Sequence, residues 1–384
     1  MRVELISRLD RLAEHAETWD FLAGGVPFRS WAWLSTWWRY YGMPEDAPSR
    51  SNQLFALCVF DRHDELVGMA PGYLENSAAR GRVVRFLGSG DVCSDHMSLL
   101  CRPGKEEAVA QAIAEWLTEP CPRDPGRWDL LEWTGVDAGE PVMKCLAENL
   151  AIRGNTVHTR PGPNCWRLEL PTRWEDYLAR LSRNRRKKIR QTQRRMLETG
   201  RAVLHSVERI SQVPRAMDIL IELHQRRRHG LGEPGCFASP RFDAFHREVM
   251  PELLRSGQLR LWQLELDGCP AAAEYQVAGG GVIYAYQSGV DPEALDHQPG
   301  LLLTMVTLRG AIEGGYRAFD FLRGDEPYKA SFRAAPRPGI TLRVVPRRTS
   351  ARLRHGLWTA GSNVKQWIKS GLKLAGSRPA PKHA

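Results

Sequence analysis

A chain of 384 residues is longer than one hydrophobic core usually serves, so we expect two domains with short appendages. Hydrophobic residues at 42% and charged residues at 26% exclude an intrinsically disordered protein. The net charge of +10 is unevenly placed, because residues 327–384 contain thirteen Lys or Arg and no acid; removing these thirteen charges leaves residues 1–326 at −3. Anionic partners are therefore predicted for local basic segments and not for the whole surface.

Eight cysteines are scattered without a CxxC pair or the spacing of metal ligands, which is typical of reduced thiols in the cytosol. The N-terminal residues lack the apolar segment of a signal peptide, and no stretch approaches the ~18 consecutive apolar residues of a membrane span. His224 and His229 fall on different faces of a predicted helix, which argues against a metal site. We therefore expect a cytoplasmic protein without a metal.

The first half of the chain alternates predicted strands and helices. Residues 28–41 predict a helix whose tryptophan stripe is more typical of a core than of a sugar-stacking platform. Residues 54–74 predict a β-hairpin that turns at Asp61–Glu65, and a Gly-rich loop at residues 88–95 joins two further strands. A helix is predicted next at Lys105–Thr118. A strand begins at Trp128, and a second helix follows at Pro141–Leu150.

The second half repeats this order. Residues 259–292 predict three strands, residues 300–315 a helix, and residues 316–325 a strand. The repetition indicates two tandem units of the α/β (α+β) class. The predicted division is residues 1–165, residues 166–346, and a basic tail over residues 347–384.

A basic segment separates the two units. Residues 174–197 have apolar positions at helical spacing and end before Gly200, which predicts one long helix within residues 173–199. Nine basic residues and no acid occupy Arg180–Arg195. This face suits nucleic acid, a phosphosugar or plain solvation, and the lack of interleaved aromatic residues argues against stacking on a single strand.

A strand followed by Pro-Gly and a helix marks a possible anion site at Gly300. The free N–H groups of the first helical turn, together with the helix dipole, suit a pyrophosphate. An isolated turn of this kind more often binds nothing.

The run Val282–Lys329, however, contains VIYAYQSGVDP, DHQPG and RAFDFLRGDEPYK, and it resembles the CelD-like branch of the GNAT acyltransferases, which is associated with cellulose and polysaccharide biosynthesis. The basic run RNRRKKIRQTQRRMLETG resembles the arginine-rich helix of the same branch. These motifs cover most of residues 173–335, and the chain is more distantly similar to the Fem aminoacyl transferases. The resemblance implies two GNAT-like units, each a mixed, mostly antiparallel sheet flanked by helices.

The resemblance also implies acetyl-CoA or another acyl-CoA as the donor. The pantetheine arm is expected along a splayed central strand at Ala285–Val290, and the pyrophosphate at Gln298–Leu302, near which the basic helix could also meet the 3′-phosphate. The loop HQPGLL has one glycine, where the wider superfamily has Q/R-x-x-G-x-G/A. The candidate donor-binding residues are Ser288, Val290, Gln298, Gly300, Leu301 and Leu302.

Four residues are candidates for the transfer chemistry of the second unit. At the positions marked by the resemblance, Tyr328 is the candidate acid and Lys329 the candidate charge for an oxyanion or a phosphate. A packed tyrosine and a surface lysine are the alternatives. Glu274 and Tyr286 lie on strands expected to face the cleft, where Tyr286 contacts substrate. Glu274 is either a base, if burial raises its pKa, or a residue on the solvent face of its strand.

Four further charged residues are candidates with open alternatives. Arg323 is either a phosphate clamp or the salt-bridge partner of its neighbours Asp320 and Asp325, and Asp325 is itself a candidate substrate contact. Asp95 and His96, in the Gly-rich loop, suit a general base and a substrate contact, or a turn whose Asp side chain satisfies backbone N–H groups.

We therefore predict an N-acyltransferase that moves an acyl group from acyl-CoA to an amine or hydroxyl of a sugar, sugar nucleotide or polysaccharide precursor. The acceptor is a small molecule or a glycan, and nucleic acid is not favoured as a partner. The alternatives are an aminoacyl-tRNA donor and a non-catalytic binder of an anionic polymer.

The tail has apolar residues at near-helical intervals among Arg and Lys. This pattern predicts either an amphipathic helix on the anionic inner membrane face or a disordered terminus. The apolar positions are Leu353, Leu357, Val364, Ile368 and Leu372.

Overall fold

The computed structural model describes residues 1–42, 52–119 and 126–360. Its strands in chain order are β1 Arg2–Ile6, β2 Gln53–Phe60, β3 Leu66–Ser77, β4 Gly81–Phe86, β5 Leu100–Cys101, β6 Leu130–Asp137, β7 Thr156–Pro161, β8 Cys165–Glu169, β9 Ala202–Ser206, β10 Leu259–Leu266, β11 Cys269–Gly279, β12 Val282–Val290, β13 Ala318–Arg323, β14 Ala335–Arg337 and β15 Gly339–Val345.

The α-helices are α1 Leu9–Ala13, α2 Ala16–Leu22, α3 Trp31–Tyr41, α4 Glu106–Thr118, α5 Pro141–Ile152, α6 Trp174–Arg180, α7 Arg183–Met196, α8 Val213–His229, α9 Pro240–Arg255, α10 Pro299–Glu313 and α11 Pro327–Ser331. Residues 349–360 form a further helix, and short 3₁₀ turns cover Pro27–Arg29, Ile210–Gln212, Cys236–Ala238 and Pro292–His297.

Within the described residues the strands form two mixed sheets. The first has the order β1-β2-β3-β4-β6-β15-β7, with β5 beside β3, and the second has the order β14-β8-β13-β12-β11-β10-β9. Each sheet contains one parallel pair, β4 with β6 and β12 with β13, and its other pairs are antiparallel. The predicted fold class is therefore confirmed, with two similar α/β units in tandem.

Strand β15 crosses between the units. The sequence-based division placed it with residues 166–346, but it pairs antiparallel with β6 and β7 in the first sheet. Leu342 and Val344 alternate along this strand and are buried in the core. Burial of this apolar face draws the chain back to the first unit after the second sheet is complete.

The prediction of one long helix over residues 174–197 is wrong, because the chain turns between α6 and α7. Ser182 has an extended backbone with ψ at 152°, and its Oγ accepts a hydrogen bond from the N–H of Arg185 at 3.2 Å. A serine that caps the next helix in this way ends the previous one. The basic residues thus lie on α7, a helix of its own.

The tryptophan stripe of α3 is core. Trp33 is fully buried, donates its indole N–H to Ser94 Oγ at 2.9 Å, and meets Phe245 of α9 edge to face at 5.1 Å. The same apolar cluster includes Tyr275 and Leu322 of the second sheet. The two units therefore share this apolar cluster, which holds them together, and the second unit also has a cluster of its own.

Gly289 allows α8 to lie directly against β12. A Cβ at this position would stand 2.5 Å from the backbone nitrogen of His224, which is closer than real Cβ contacts come. Only glycine permits this approach without a shift of α8. The approach matters for the site because α8 forms one of its walls.

The first part of the tail packs on the first unit. Ala351 is buried, and Arg354 donates to Asp129 at 2.9 Å. Leu353 and Leu357 are exposed on this helix. The remaining positions of the predicted amphipathic tail, at Val364, Ile368 and Leu372, lie outside the described residues.

Candidate active site

The parallel strands β12 and β13 part beyond Tyr284. Val282–Tyr284 pairs with Ala318–Asp320, and no ladder between the two strands continues into Ala285–Val290 within the described residues. Tyr286 is an extra residue in the pairing of β12 with β11, and such a bulge bends the strand. The predicted splayed strand is therefore present, and it opens a gap in the second sheet.

A cavity of about 640 Å³ occupies this gap. Its walls come from Ala285–Val290 of β12, Phe321–Arg323 of β13, the first turn of α10, and Tyr328 and Lys329 of α11. Clefts of this size hold small molecules and cofactors. Most of the residues selected from the sequence meet here.

Glu274 of β11 is a buried carboxyl in this cavity. Its Oε1 accepts one hydrogen bond, from Gln276 Nε2 at 3.0 Å, and it has no ion-pair partner among the described residues. Burial raises the pKa of Glu274 to about 7, and the bond from Gln276 opposes that rise. A carboxyl of this kind exchanges a proton near neutral pH, as a general base must.

Tyr328 stands at the mouth of the same cavity, with 48% of its surface exposed. Partial burial of the phenol, and then the nearby carboxylates of Glu274 and Glu326, raise the pKa of Tyr328 above its ordinary value. Its hydroxyl therefore keeps its proton at neutral pH. Glu274 and Tyr328 together provide a proton acceptor and a proton donor in one cavity.

In the structure, Lys329 is not available to bind an oxyanion or a phosphate, the two roles predicted for it. The side chain is buried, so Lys329 is not a surface cation. Its Nζ donates to the carbonyls of Leu322, Arg323 and Gly324 at 3.2, 2.8 and 2.9 Å and contacts Glu326 at 2.9 Å. An ammonium has three N–H donors, and these carbonyls occupy them. Lys329 therefore fixes the end of β13 and has no free donor for an oxyanion.

The carbonyls that meet Lys329 belong to an unusual turn. Leu322 has a φ of +56°, a left-handed conformation that non-glycine residues seldom adopt. Its N–H donates to Oδ1 of the buried Asp320 at 2.8 Å. Asp320 and Lys329 thus hold opposite sides of a turn that forms part of the cavity wall.

Arg323 pairs with the first unit and not with its neighbours in sequence. Its guanidinium binds both carboxylate oxygens of Asp95, the shortest contact being 2.6 Å from Nη2 to Oδ1. Neither Asp320 nor Asp325 is its partner. The phosphate-clamp alternative does not fit either, because the guanidinium of Arg323 is already paired. Asp95, predicted as a base, is a buried ion-pair partner instead.

Breaking this inter-unit pair tests its contribution to stability. We expect Asp95→Ala to lower the free energy of unfolding by about 2–3 kcal/mol, because it leaves a half-buried guanidinium unpaired. Urea denaturation measures the loss, and Asp91→Ala, which removes an exposed acid of the same loop, should change it by less than about 0.5 kcal/mol. Losses for Asp95→Ala and Arg323→Ala that simply add in the double variant would contradict the pairing.

Three other predicted contacts lie away from the cavity. His96 Nε2 sits 3.1 Å from Oδ2 of Asp320; burial alone would lower the pKa of His96, but this carboxylate raises it. Asp325 accepts hydrogen bonds from Asn164 and Trp166 outside the cavity. Leu302 is fully buried in the core of the second unit. Substrate or donor contact by His96, Asp325 or Leu302 therefore does not fit the structure.

Tyr286 lines the cavity, but its hydroxyl is already engaged. It donates to the carbonyl of Val92 at 2.6 Å and lies 3.3 Å from Nε2 of His246. Val92 belongs to the Gly-rich loop of the first unit. Tyr286 thus joins the two units, and only its ring is available to a ligand.

The remaining donor-binding candidates are placed together. Ser288 and Val290 of β12 and Gln298, Gly300 and Leu301 at the start of α10 all line the cavity. This is the arrangement expected for a pantetheine arm that ends at a helix N-terminus.

Sequence reasoning missed several polar residues of the cavity wall. Cys93 reaches it from the Gly-rich loop, and Arg227 and Arg228 reach it from α8. Arg185, also in the wall, was seen only as part of the basic run. Their periodicity is that of ordinary surface residues, so nothing local in the sequence distinguishes them.

No group of three or more His, Cys, Asp or Glu is placed to hold a metal ion in the parts of the chain that the structure describes. Among the same residues, no helix combines the length and the apolar character that a membrane span needs.

Comparison with known proteins agrees with this architecture. Residues 183–330 match the family described as an acetyltransferase (GNAT) domain. The crystal structure of FemX is 10% identical and aligns over 92% of this chain and 99% of its own, with a TM-score of 0.65. No protein of curated function is significantly similar in sequence.

Two further solved structures have related folds. The C-terminal domain of a putative lysylphosphatidylglycerol synthetase from Agrobacterium fabrum is 13% identical over 89% of this chain and 95% of its own, with a TM-score of 0.52. L-PGS from Bacillus licheniformis is 12% identical over 90% and 95%, with a TM-score of 0.50. At these identities the likeness concerns the fold alone. Residues 183–330 therefore match a GNAT acetyltransferase domain, which supports an acyltransferase as the enzyme class, in a chain whose fold has two similar α/β units.

Proposed function

We propose that the chain transfers an acyl group from acyl-CoA to an amine of a small-molecule acceptor inside the 640 Å³ cavity. One observation carries this proposal. A buried carboxyl whose pKa is about 7, Glu274, faces the same cavity as a tyrosine that keeps its proton, Tyr328. Acyl transfer needs both groups, whereas a protein that only binds a polymer needs neither.

In this mechanism Glu274 takes the proton that the acceptor amine loses as its nitrogen bonds to the acyl carbon. The bond from that carbon to sulfur then breaks, and Tyr328 supplies a proton to the departing thiolate. The low polarity around Glu274 sets its pKa near the working pH, where proton transfer is most effective.

The residues present fit a CoA donor. The parting strands leave the backbone of β12 facing the cavity, where it can pair with the amides of a pantetheine arm. The first turn of α10, at Gly300 and Leu301, offers N–H groups and the positive end of a helix dipole to a pyrophosphate. When bound, the donor supplies the activated thioester.

The acceptor that we propose is an amino sugar, or the amino group of a sugar nucleotide or polysaccharide precursor. The resemblance to the CelD-like branch supports this class. Hydrogen-bonding groups on the wall, among them Gln287 and Ser288, suit a polar acceptor.

Thiol release from acetyl-CoA and longer acyl-CoAs, measured with and without a panel of amino sugars, tests the proposal. We expect release that depends on an acceptor, together with an N-acylated product by mass spectrometry. Transfer from aminoacyl-tRNA, with none from any acyl-CoA, would show that the donor is aminoacyl-tRNA and not acyl-CoA. Binding of RNA or anionic glycan without any transfer would overturn it.

A further inference from the structure

Two arginines of the cavity wall lack an anionic partner. Arg185 of α7 and Arg227 of α8 both line the cavity, and neither side chain forms an ion pair or hydrogen bond with another described residue. Both are partly buried. Exposed arginines are often unpaired, but a desolvated guanidinium is ordinarily paired.

The neighbours of Arg227 show the contrast on one helix. Arg226 contacts Asp291 at 3.0 Å and Glu293 at 3.1 Å, and Arg228 contacts Glu233 at 2.7 Å. Acids are thus available along this part of α8. The arginine between these two residues is directed to the cavity without one.

Arg185 is held in place despite its lack of an anion. Its guanidinium carbon lies 4.3 Å from the ring centre of Phe332, another residue of the cavity wall. Its Nε is fully buried without a hydrogen-bond partner among the described residues, and burial lowers the pKa of Arg185. Stacking on an aromatic ring orients the guanidinium without neutralising it.

The start of α10 explains why such charges are needed. Its first residue, Pro299, has no N–H, and its N-cap, Gln298, makes no side-chain cap. Because HQPGLL contains a single glycine, fewer backbone N–H groups can approach a phosphate here. Side chains from adjacent helices can supply the missing donors, and α7 packs against α10 while α8 packs against β12.

We propose that Arg185 and Arg227 bind phosphate groups of the acyl-CoA donor. Their side chains donate hydrogen bonds that backbone N–H groups donate in a glycine-rich loop. The inference rests on the proposed function for the identity of the donor. The phosphate chemistry rests on the two unpaired guanidiniums, because phosphate accepts the forked hydrogen bonds that arginine donates.

Calorimetric titration of the full chain with CoA and, separately, with inorganic pyrophosphate tests this site. We expect Arg185→Gln and Arg227→Gln each to weaken both ligands by about 10- to 100-fold, as loss of a charge-assisted hydrogen bond does. Arg185→Lys and Arg227→Lys should recover part of the affinity. Arg215→Gln removes an equal charge from an exposed position of α8 outside the cavity, and it should leave both affinities within about twofold.

The outcomes separate this inference from the proposed function. Unchanged CoA affinity in both Gln variants would overturn the role of the arginines and leave a CoA-dependent transferase. A wild-type chain that binds pyrophosphate through these arginines, but no CoA, would keep the phosphate site and overturn the donor. Thermal unfolding of Arg185→Gln and Arg227→Gln should stay close to the wild-type temperature, because neither change breaks an ion pair or a hydrogen bond.

Discussion

Replacing Glu274 by glutamine is expected to lower kcat by about 10²- to 10⁴-fold, the range for loss of a general base. Glutamine keeps the size of the side chain and its ability to bond Gln276, but it cannot accept the proton of the acceptor amine. Because the base acts in the transition state, KM for the donor should change little. Steady-state kinetics with a saturating acceptor measures the effect.

The pH dependence of the rate follows from the same residue. The pKa of Glu274 is about 7, so the basic form accumulates as pH rises through 7 and activity should rise with it. Below that pH the carboxyl is protonated and the rate should fall tenfold per pH unit. This fall in rate below pH 7 should be absent in Glu274→Gln. A wild-type rate that is flat from pH 5 to pH 8 would contradict the assignment.

Stability provides the control for Glu274→Gln. The folded pKa lies above the ordinary value of 4.5, so between these values the folded chain holds a proton that the unfolded chain has released. The free energy of unfolding contributed by Glu274 therefore falls as pH rises through this window. Glutamine lacks this titration, so the variant should be at least as stable as wild type at pH 8. A lost activity then reflects chemistry and not unfolding.

Lys329→Met is expected to have a large effect of a different kind. Methionine keeps much of the apolar stem but leaves three carbonyls of the turn at Leu322–Gly324, one buried and two partly buried, without their donor. We expect a loss of about 2–4 kcal/mol in the free energy of unfolding, measured by urea denaturation. Because this turn forms the cavity wall, kcat/KM should also fall by about 100-fold, as misplaced site residues cause.

Lys144→Met is the matched control for this variant. Lys144 is exposed on α5 of the first unit, so its loss should change stability by less than about 0.5 kcal/mol. A Lys329→Met chain as stable and as active as the Lys144→Met chain would show that the ammonium does not hold the turn.

The features that the sequence predicts well are those with a local cause. Alternating apolar residues and the Asp267-Gly268 turn define β10 and β11, and the Pro-Gly pair defines the start of α10. Because Glu274 lies on a predicted strand of the second unit, its place in the cavity could also be predicted. These inferences need only periodicity, turn chemistry and strand order.

The features that the sequence does not predict depend on distant partners. Arg323 has acidic neighbours in sequence, yet it pairs with Asp95, 228 positions away. Nothing in the local pattern marks Lys329 as buried, because its acceptors are carbonyls created by the left-handed turn at Leu322. The break at Ser182 is a local signal, but the apolar periodicity on either side conceals it.

The most direct test of a CoA-dependent cavity is calorimetric titration of acetyl-CoA into the wild-type chain and into Ser288→Trp. Ser288 is exposed and lines the cavity, so an indole should fill the space without disturbing the core. Ser211→Trp, exposed and outside the cavity, is the control. We expect one acetyl-CoA per chain for wild type and the control, and none for Ser288→Trp. Equal binding by all three chains, or binding by none, would contradict the account.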